Sequence, residues 1–415
     1  MRKAGHSVVN RAASPRRRRV VGLLGALGGL AATPWLPALA ATQQNCTAQD
    51  WPAWQSWAAA HVQDDGRVLH SSLLPNHTTS EGQSYHMLLA LIANDATRFA
   101  KVWNWTLHNM LGNDPGKILP GWLWGQGSDG KWQMQDANSA SDADLWIVYT
   151  LLEAARLWQR PQYRKQALDL LDNIEAKLVV DLPGLGKMLL PGPQGFNQRN
   201  ALWTLNPSYL PLPLLRRLQK ERPNGPWQQL ADNTLRMIQG SAPRGYVADW
   251  VAYRMLTVQS GQFQVDPAKG DLGSYDAIRV YLWAGMTSPR DPAAAPLLAA
   301  LDGMRQSLAA TGVPPEKVQV TTGATEGQAP FGFGAALLPY LVAKGETAMA
   351  AQLQRAVTQQ LENGLAQPDP RPEILYYNVM LGLFGLGWVE KRYQFRDDGT
   401  LNLSWEKSCA RAVQR

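Results

Sequence analysis

The fold of this chain is decided by residues 138–158, which read NSASDADLWIVYTLLEAARLW. Apolar residues recur there every three or four positions, at Leu145, Val148, Leu152 and Ala155. This is the period of a helix with one buried face, and the small and polar residues before it are typical of a helix start. The segment therefore predicts a helix that opens with two acidic residues, Asp142 and Asp144.

The same helical period continues along most of the chain. The first two apolar faces comprise Tyr85, Leu88, Leu89 and Ile92, and then Phe99, Val102, Trp103, Leu107 and Met110. Further helices are predicted at 162–179, 209–220, 226–239, 274–286, 293–309, 333–344, 346–363 and 373–386. Strand signals are weaker and local, around 187–190 and 318–322. These patterns predict close to a dozen helices, with short strands as excursions in the loops.

A series of helix pairs without alternating strands predicts an all-α domain and excludes the βα repeats of Rossmann and TIM-type folds. Helical hairpins assemble as a bundle, a solenoid or a closed double ring, and no segment recurs at the fixed period that solenoids show. We favour the closed ring, an (α/α)6 barrel of six helical hairpins with short strands in its loops. Loops at one end of such a ring are free to form a cleft.

Residues 1–40 are predicted to be an export signal. Basic residues up to Arg19 precede an apolar run over about 20–32, and the segment ALA at 38–40 offers the small-x-small pattern of a cleavage site. The apolar run is too short to span a bilayer, and the arginines at 16–19 suit the twin-arginine route as well as the Sec route. The protein is therefore expected to be periplasmic or secreted, without a stable membrane anchor.

The charge of the chain lies in that signal. The formal net charge is +7, and positions 1–40 contain seven Lys or Arg and no Asp or Glu. The mature chain is therefore formally neutral. A basic chain would favour nucleic acid or an anionic membrane as partner, and that support disappears once the signal is removed, so no nucleic-acid partner is expected.

Residues 41–415 are predicted to form one domain, because no linker or low-complexity tract divides them. The two cysteines, Cys46 and Cys409, stand near opposite ends of this region. In an oxidising compartment they can form one disulfide that pins the two termini together. Two unpaired thiols are the alternative.

Tryptophan is unusually abundant, with 17 residues. The segment LPGWLWG at 119–125 places Trp122 and Trp124 between Pro and Gly, where a loop is expected. Indole rings suit the flat, C–H-rich faces of pyranose sugars. For any single Trp the better explanation is burial in the core, but for this loop pair we favour contact with a sugar.

Several chemistries find no support in the sequence. Neither HExxH nor G-x-S-x-G occurs, and no residues have the spacing of a zinc site, so no metal and no cofactor are expected. The segment GQGSDG at 125–130 matches G-x-G-x-x-G. Neither a β-branched strand before it nor an apolar-periodic helix after it is predicted, so we reject a dinucleotide site.

Carboxylates at predicted helix starts remain as candidates. Glu81, in TTSEGQSY at 78–85, lies in the first turn of a helix for which Ser80 is the expected cap. Asp142 and Asp144 open the helix quoted above. For all three the alternative is structural, since acidic residues often cap a helix or interact favourably with its N-terminus.

Asp276 lies in SYDAIR at 274–279, three residues before Arg279 and so on the same helical face. Such a pair is usually a surface salt bridge, but here the arginine could hold Asp276 ionised. In a helical ring, alternate helix starts open at the same rim, which would bring these carboxylates together. Glycoside hydrolysis requires two carboxyl groups, one protonated and one ionised.

Four segments resemble the pattern of glycoside hydrolase family 8. They are TTSEGQSY at 78–85, ASDAD at 140–144 followed by Leu151, Ala154 and Trp158, NPSY at 206–209, and SYDAIR at 274–279. They occur in the family's order, and the resemblance runs from about Trp51 to Cys409. It is nearest to the endoglucanases encoded with bacterial cellulose synthases. The resemblance implies an (α/α)6 barrel that hydrolyses β-1,4-glucan with inversion, in which the two carboxyl groups stand roughly 6.5–9.5 Å apart.

The resemblance also implies roles for individual residues. Glu81 matches the proton donor, Asp276 the base, and Asp142 the acid that contacts the sugar at the cleavage point. Residues that match the cleft lining are Trp122, Trp124, Tyr209, Tyr275, Arg279 and Tyr377. Tyr376 competes with Tyr377 for its place. His86 departs from the family, which has a small residue there, and we expect it to alter the cleft locally without removing activity.

Other functions fit parts of the sequence. The same scaffold serves chitosanases, mixed-linkage glucanases and xylanases, but chitosan favours extra acidic residues in the cleft and the mature chain has no acidic excess. A non-catalytic glucan-binding protein of the cellulose export machinery would keep the tryptophans but would not need both Glu81 and Asp276. A role beside a cellulose synthase export complex rests on the resemblance alone, and degradation of external glucan is the alternative.

Overall fold

The computed structural model describes residues 49–70, 77–198, 200–366 and 372–406. The predicted signal 1–40 and the cysteines Cys46 and Cys409 lie outside these residues, so the signal and the disulfide stay predictions. The described residues belong to one compact unit, Asn45–Arg415.

Helices make up most of the described structure. They are α1 (Pro52–His61), α2 (Ser80–Ile92), α3 (Ala96–Asn109), α4 (Ser141–Trp158), α5 (Pro161–Leu178), α6 (Leu212–Glu221), α7 (Trp227–Ser241), α8 (Ile278–Met286), α9 (Ala294–Ala300), α10 (Asp302–Thr311), α11 (Phe331–Ala343), α12 (Thr347–Ala366) and α13 (Pro372–Val389). Among the residues described, no helix is both long enough and apolar enough to cross a membrane.

The helices form two concentric rings. The inner ring comprises α2, α4, α6, α8, α11 and α13. Each of these helices contacts the next one in this order, and α13 contacts α2 to close the ring. The outer ring comprises α3, α5, α7, α9 with α10, α12 and α1, of which α1 packs against α12 and α13. A helix that is apolar all round is buried, and α8 is buried along its whole length, whereas α3 buries one face. The predicted (α/α)6 barrel is confirmed.

Aromatic side chains fill the centre of the inner ring. Trp146 of α4 lies 6.2 Å from Tyr85 of α2, 5.3 Å from Trp283 of α8 and 5.9 Å from Phe384 of α13, measured between ring centroids. Phe384 also contacts Tyr85 at 5.3 Å, which joins the last inner helix to the first. All four residues are buried. Several of the 17 tryptophans are therefore core residues, the alternative that the sequence left open.

Short strands occupy the loops of the barrel. They are β1 (Thr78–Thr79), β2 (Leu123–Gln126), β3 (Trp132–Asp136), β4 (Val179–Leu182), β5 (Gly186–Leu189), β6 (Asn197–Gln198), β7 (Leu202–Leu205), β8 (Val251–Thr257), β9 (Ser260–Val265), β10 (Leu272–Gly273), β11 (Lys317–Gln319), β12 (Ala324–Glu326), β13 (Tyr393–Phe395) and β14 (Leu401–Leu403). Among the described residues these strands pair antiparallel, in the orders β1-β2-β3, β4-β5, β6-β7-β8-β9, β10-β11-β12 and β13-β14.

The strands differ in part from prediction. The signals around 187–190 and 318–322 coincide with β5 and β11, but the four-stranded sheet β6–β9 was not predicted. In β8 the buried residues come first and the exposed ones last, rather than in alternation. The sequence of β8 therefore lacks the alternation of apolar and polar residues that predicts a strand, and the strand is defined by its pairing with β7 and β9.

Three helices have bounds that differ from those predicted. Helix α8 starts late because residues 274–277 form a turn. Helix α6 starts only after the 3-10 turn Pro207–Tyr209 and two further residues. A third predicted helix is divided into α9 and α10 at Leu301. The predicted helices concerned are 274–286, 209–220 and 293–309.

Candidate active site

Glu81 lies at the start of inner helix α2, at the rim of the barrel. The helix is capped by Thr79, whose hydroxyl accepts a hydrogen bond from the Gly82 N–H at 3.1 Å. The expected cap, Ser80, is instead the first helical residue, because Thr79 keeps the extended conformation of β1. The pairing of β1 with β2 brings the β2 segment directly over this helix start.

The Glu81 carboxyl group is held in a form suited to proton donation. The indole Nε1–H of Trp122 donates to Glu81 Oε1 at 3.2 Å. Burial and, to a smaller extent, the nearby charge of Asp142 raise the pKa of Glu81 to about 8, although the Trp122 hydrogen bond acts in the opposite direction. A carboxyl group with this pKa is protonated at neutral pH.

Asp142 and Asp144 lie in the first turn of inner helix α4, whose N-cap residue Ala140 has no side chain that could accept a hydrogen bond. Asp142 Oδ1 accepts a hydrogen bond from the first-turn N–H of Ala143 at 2.8 Å, so the structural alternative applies in part to this residue. Burial raises the pKa of Asp142 to about 6, against the effect of Arg279. Asp144 is fully buried, and burial raises its pKa well above the usual range.

Asp276 lies in the turn before α8, not in the first turn of the helix as predicted. Its carboxylate accepts hydrogen bonds from Arg279 Nη2 at 2.9 Å and from Asn206 Nδ2 at 3.2 Å. About 28% of the side chain is exposed, so water can reach it. Both contacts use Asp276 as an acceptor, which is the role of an ionised carboxylate.

Arg279 connects three different segments, two of which contribute a carboxylate. Its Nη2 lies 2.9 Å from Asp276 Oδ1 and 3.8 Å from Asp142 Oδ2, and it donates to Ser208 Oγ at 2.9 Å. The guanidinium carbon lies 5.9 Å from the centre of the Tyr209 ring. The pair with Asp276 is therefore part of a buried network, not an isolated surface salt bridge.

The predicted tyrosines surround this network. Tyr377 Oη accepts from Arg279 Nη1 at 3.3 Å and donates to the Tyr275 carbonyl oxygen. The ring of Tyr275 is 40% exposed, and its hydroxyl donates to Glu316. Tyr376 is buried instead against aromatic and imidazole rings, with the His70 ring 4.1 Å away. The structure therefore places Tyr377, not Tyr376, beside Arg279.

The two predicted loop tryptophans have different surroundings. Trp122 contacts Glu81, as described above. Trp124 lies in β2, where a loop was expected, and packs against Trp105 at 5.0 Å and Trp132 at 5.3 Å between ring centroids. Arg67 lies over the rings of Trp124 and Trp132. The hairpin thus presents a partly exposed aromatic surface next to the acid.

The G-x-G-x-x-G segment at 125–130 forms the turn of the β2–β3 hairpin. Strand β2 does lead into it, which was not expected, but strand β3 follows in place of a helix. A pyrophosphate group is bound at a helix N-terminus in the dinucleotide motif, and this segment has none. The rejection of a nucleotide site rests on that geometry.

Three residues of this site received no role from the sequence. Asn206 and Ser208 belong to the NPSY segment. The Asn206 carboxamide oxygen accepts a hydrogen bond from Ser208 Oγ at 2.7 Å. Because Ser208 also accepts from Arg279 and Asn206 donates to Asp276, these residues connect Arg279 to Asp276 by a second path. The third is Asp249, whose pKa is raised to about 6 by burial and by the charge of Asp276. Nothing around Asp249 in the sequence distinguishes it, because its partners lie in a distant turn.

The sequence pattern of glycosyl hydrolases family 8 matches residues 31–391. Together with the carboxylates at the rim of an (α/α)6 barrel, this match decides the family. The chain belongs to glycosyl hydrolases family 8.

Family 8 relatives cover most of the chain. The endoglucanase of Pseudomonas fluorescens (strain SBW25) is 52% identical over 379 residues, which are 89% of this chain and 94% of that protein. The endoglucanase of Escherichia coli (strain K12) is 40% identical over 91% of this chain and 97% of its own length. The crystal structure of the endo-1,4-D-glucanase from Vibrio fischeri ES114 superposes with a TM-score of 0.80 at 37% identity, over 86% of this chain and all of that one.

His86, the expected departure from family 8, does not contact the carboxylates. It is buried beside α1, where Trp57 Nε1 donates to His86 Nε2 at 3.2 Å and His86 Nδ1 lies 2.7 Å from the Gly82 carbonyl oxygen. Burial lowers the pKa of His86 to about 3, so the ring is neutral. Its contacts are with α1, α2 and α13, and its effect on the cleft stays a prediction.

Proposed function

We propose that this family 8 glycoside hydrolase is an endo-β-1,4-glucanase that inverts the anomeric centre, with Glu81 as general acid and Asp276 as general base. The observation that carries the proposal is the unequal pair of carboxyl groups at the barrel rim. Glu81 is protonated at neutral pH, whereas Asp276 accepts hydrogen bonds from Arg279 and Asn206. This is the division of roles that glycoside hydrolysis requires.

The reaction follows from this division of roles. Glu81 donates its proton to the glycosidic oxygen while the bond from that oxygen to the anomeric carbon breaks. Asp276 takes a proton from a water molecule, and the water oxygen bonds to the anomeric carbon from the opposite face. A β-linked chain therefore yields one new non-reducing end and one new reducing end that is initially α.

Asp142 is proposed to contact the sugar at the cleavage point. It is buried between the acid and the Arg279 network, and it raises the pKa of Glu81. The tyrosine and tryptophan side chains Trp122, Trp124, Tyr209, Tyr275 and Tyr377 are proposed to line the cleft with Arg279. Rings of this kind pack against pyranose faces and donate hydrogen bonds to hydroxyl groups.

Cellulose-like glucan is the preferred substrate class. The relatives at 40–52% identity described above carry the name endoglucanase, and this supports β-1,4-glucan over chitosan, xylan or mixed-linkage glucan. The formally neutral mature chain also gives no support to a cationic substrate. A purely glucan-binding role would leave the pairing of Glu81 with Asp276 without a purpose.

We further propose that the enzyme is exported and acts in the periplasm or outside the cell, beside bacterial cellulose synthesis. The signal-like composition of residues 1–40 supports export, whereas the role beside cellulose synthesis rests on the resemblance described above. Cell fractionation with an antibody against the mature chain tests the location. Recovery in the cytoplasm alone would contradict it.

A substrate panel tests the proposed activity. The mature protein is incubated with carboxymethyl cellulose, chitosan, xylan and mixed-linkage glucan, and new reducing ends are counted. The expected result is the highest kcat/KM on the β-1,4-glucan. Preference for chitosan or xylan would replace the substrate class, and no cleavage of any polymer would favour the non-catalytic alternative.

A further inference from the structure

Asp249 holds the turn that carries Asp276. Its Oδ1 accepts hydrogen bonds from the backbone N–H groups of Ser274, Asp276 and Ala277 at 2.8, 3.1 and 2.7 Å. The N–H of Asp249 itself donates to the Leu272 carbonyl oxygen at 2.8 Å. One side-chain oxygen therefore fixes three amides of the turn while the backbone of the same residue is fixed to β10.

These amides belong to the turn before α8 and to its N-cap residue Ala277, which has no side chain that could accept a hydrogen bond. The first amide of α8 itself is satisfied by the turn, because the Ile278 N–H donates to the Ser274 carbonyl oxygen at 3.0 Å. The turn amides lack such a local partner, and Asp249, which lies 25–28 residues earlier in the chain, supplies their acceptor.

The two segments are in direct backbone contact. A Cβ atom on Gly273 would lie 2.2 Å from the Val247 carbonyl oxygen, so only glycine permits this approach. Beyond Gly273, the Ser274 hydroxyl donates to the Glu316 carbonyl oxygen at 2.7 Å. The turn is therefore held closely on the side of Asp249 and has little freedom to move away from it.

We propose that Asp249 is a positioning residue for the base, which sets where the Asp276 backbone stands so that Arg279 and Asn206 can then orient its carboxylate. The inference rests on the proposed role of Asp276. A displacement of about 1 Å at a reacting group costs on the order of 100-fold in rate. Asp249 acts through the turn, and the position of its oxygen matters more than its charge.

Two variants separate position from charge. Asp249→Asn keeps an acceptor oxygen at the same place and removes the charge, whereas Asp249→Glu keeps the charge and moves the oxygen by about one methylene group. For Asp249→Asn we expect kcat on cellopentaose within about tenfold of wild type. For Asp249→Glu we expect a kcat loss of about 100-fold, with KM changed by less than about fivefold.

Asp95→Glu is the matched control, because Asp95 caps outer helix α3 through the Arg98 N–H at 2.9 Å. It is expected to keep the wild-type kcat and KM. Amide exchange of residues 274–277, followed by mass spectrometry, is expected to be faster in Asp249→Glu than in wild type, and this readout does not depend on activity.

The outcomes are distinguishable. Two results would contradict the positioning role in a wild-type enzyme that cleaves cellopentaose. One is an Asp249→Glu variant as active as wild type. The other is a larger loss of kcat in Asp249→Asn than in Asp249→Glu. A loss that appears only in KM also contradicts it. If wild type itself does not cleave the glucan, the proposed function fails, while faster exchange at 274–277 in Asp249→Glu would still support the structural part of the inference.

Discussion

The proposed role of Glu81 is to donate a proton to the glycosidic oxygen. Glu81→Gln keeps the side-chain size and an acceptor for Trp122, but it cannot donate the proton to a leaving oxygen. We expect kcat to fall by about 10²- to 10⁴-fold, with the affinity for intact cello-oligosaccharide largely retained. Reducing-end assays measure the first quantity and titration calorimetry the second.

The control for this variant is Glu362→Gln, an exposed glutamate on outer helix α12, which should keep wild-type activity. A Glu81→Gln protein with full activity would show that another group supplies the proton.

The pKa of Glu81 predicts how activity depends on pH. The acid must be protonated, and burial raises its pKa to about 8, so kcat/KM should fall as the pH rises through about 8. A glutamate with an ordinary pKa would lose its proton near pH 4 to 5. A pH profile on a soluble cello-oligosaccharide distinguishes the two, and a decline that begins below pH 6 would contradict the assigned environment.

The sequence identified Glu81, Asp142 and Asp276 because each lies in a short recognisable segment. Their burial and hydrogen bonds required the structure. Asp249 could not be predicted, since its role comes from contacts with backbone amides in a turn that the chain reaches only later.

At the level of elements, the pairing of β1 with β2 brings Trp122 to Glu81. The indole N–H donates to the carboxyl group and so favours its ionised form. Trp122→Phe keeps an aromatic ring without this donor, so the pKa of Glu81 should rise further. The alkaline limb of the kcat/KM profile is expected to move to higher pH by about one unit.

Trp158→Phe is the matched control for this experiment. It removes an indole donor of the same type, to Asn94 Oδ1 at 2.9 Å, at the far end of α4. Its pH profile should coincide with that of wild type. A Trp122→Phe profile that moves to lower pH would mean that the indole does not stabilise the carboxylate.

The helices from α2 onward were predictable because their periodicity extends over many residues, whereas α1 was not predicted. The start of α8 was also missed, because the turn at 274–277 is organised by Asp249 rather than by its own sequence. The strands of the β6–β9 sheet were missed because β8 does not alternate buried and exposed residues and because its pairing with β7 joins segments on either side of α6 and α7.

For the whole molecule, a buried ion-pair cluster ties the barrel to its C-terminal strands. Glu153 of α4 is fully buried and accepts from Arg217 Nε of α6 at 2.6 Å, from Arg156 Nε at 2.9 Å and from the Leu401 N–H of β14 at 3.0 Å. Glu153→Gln removes the charge that faces both arginines, although Arg217 keeps its ion pair with Glu221. The free energy of unfolding should fall by about 1.5–3 kcal/mol, the usual loss for hydrogen bonds between charged groups.

Chemical denaturation measures this loss, with Asp169→Asn as the control. Asp169 pairs with Lys165 on the surface of α5, and loss of such a pair should cost less than about 1 kcal/mol. Equal stability of Glu153→Gln and wild type would show that the cluster does not hold the ring together.

Glu81 and Asp276 are proposed to hydrolyse β-1,4-glucan with inversion. The most direct test follows the anomeric protons by NMR while the mature protein cleaves cellopentaose. With inversion, new reducing ends appear first as α-anomers and reach the mixed equilibrium only later by mutarotation. Initial appearance of β-anomers would contradict the assignment of Asp276 as a base that activates water.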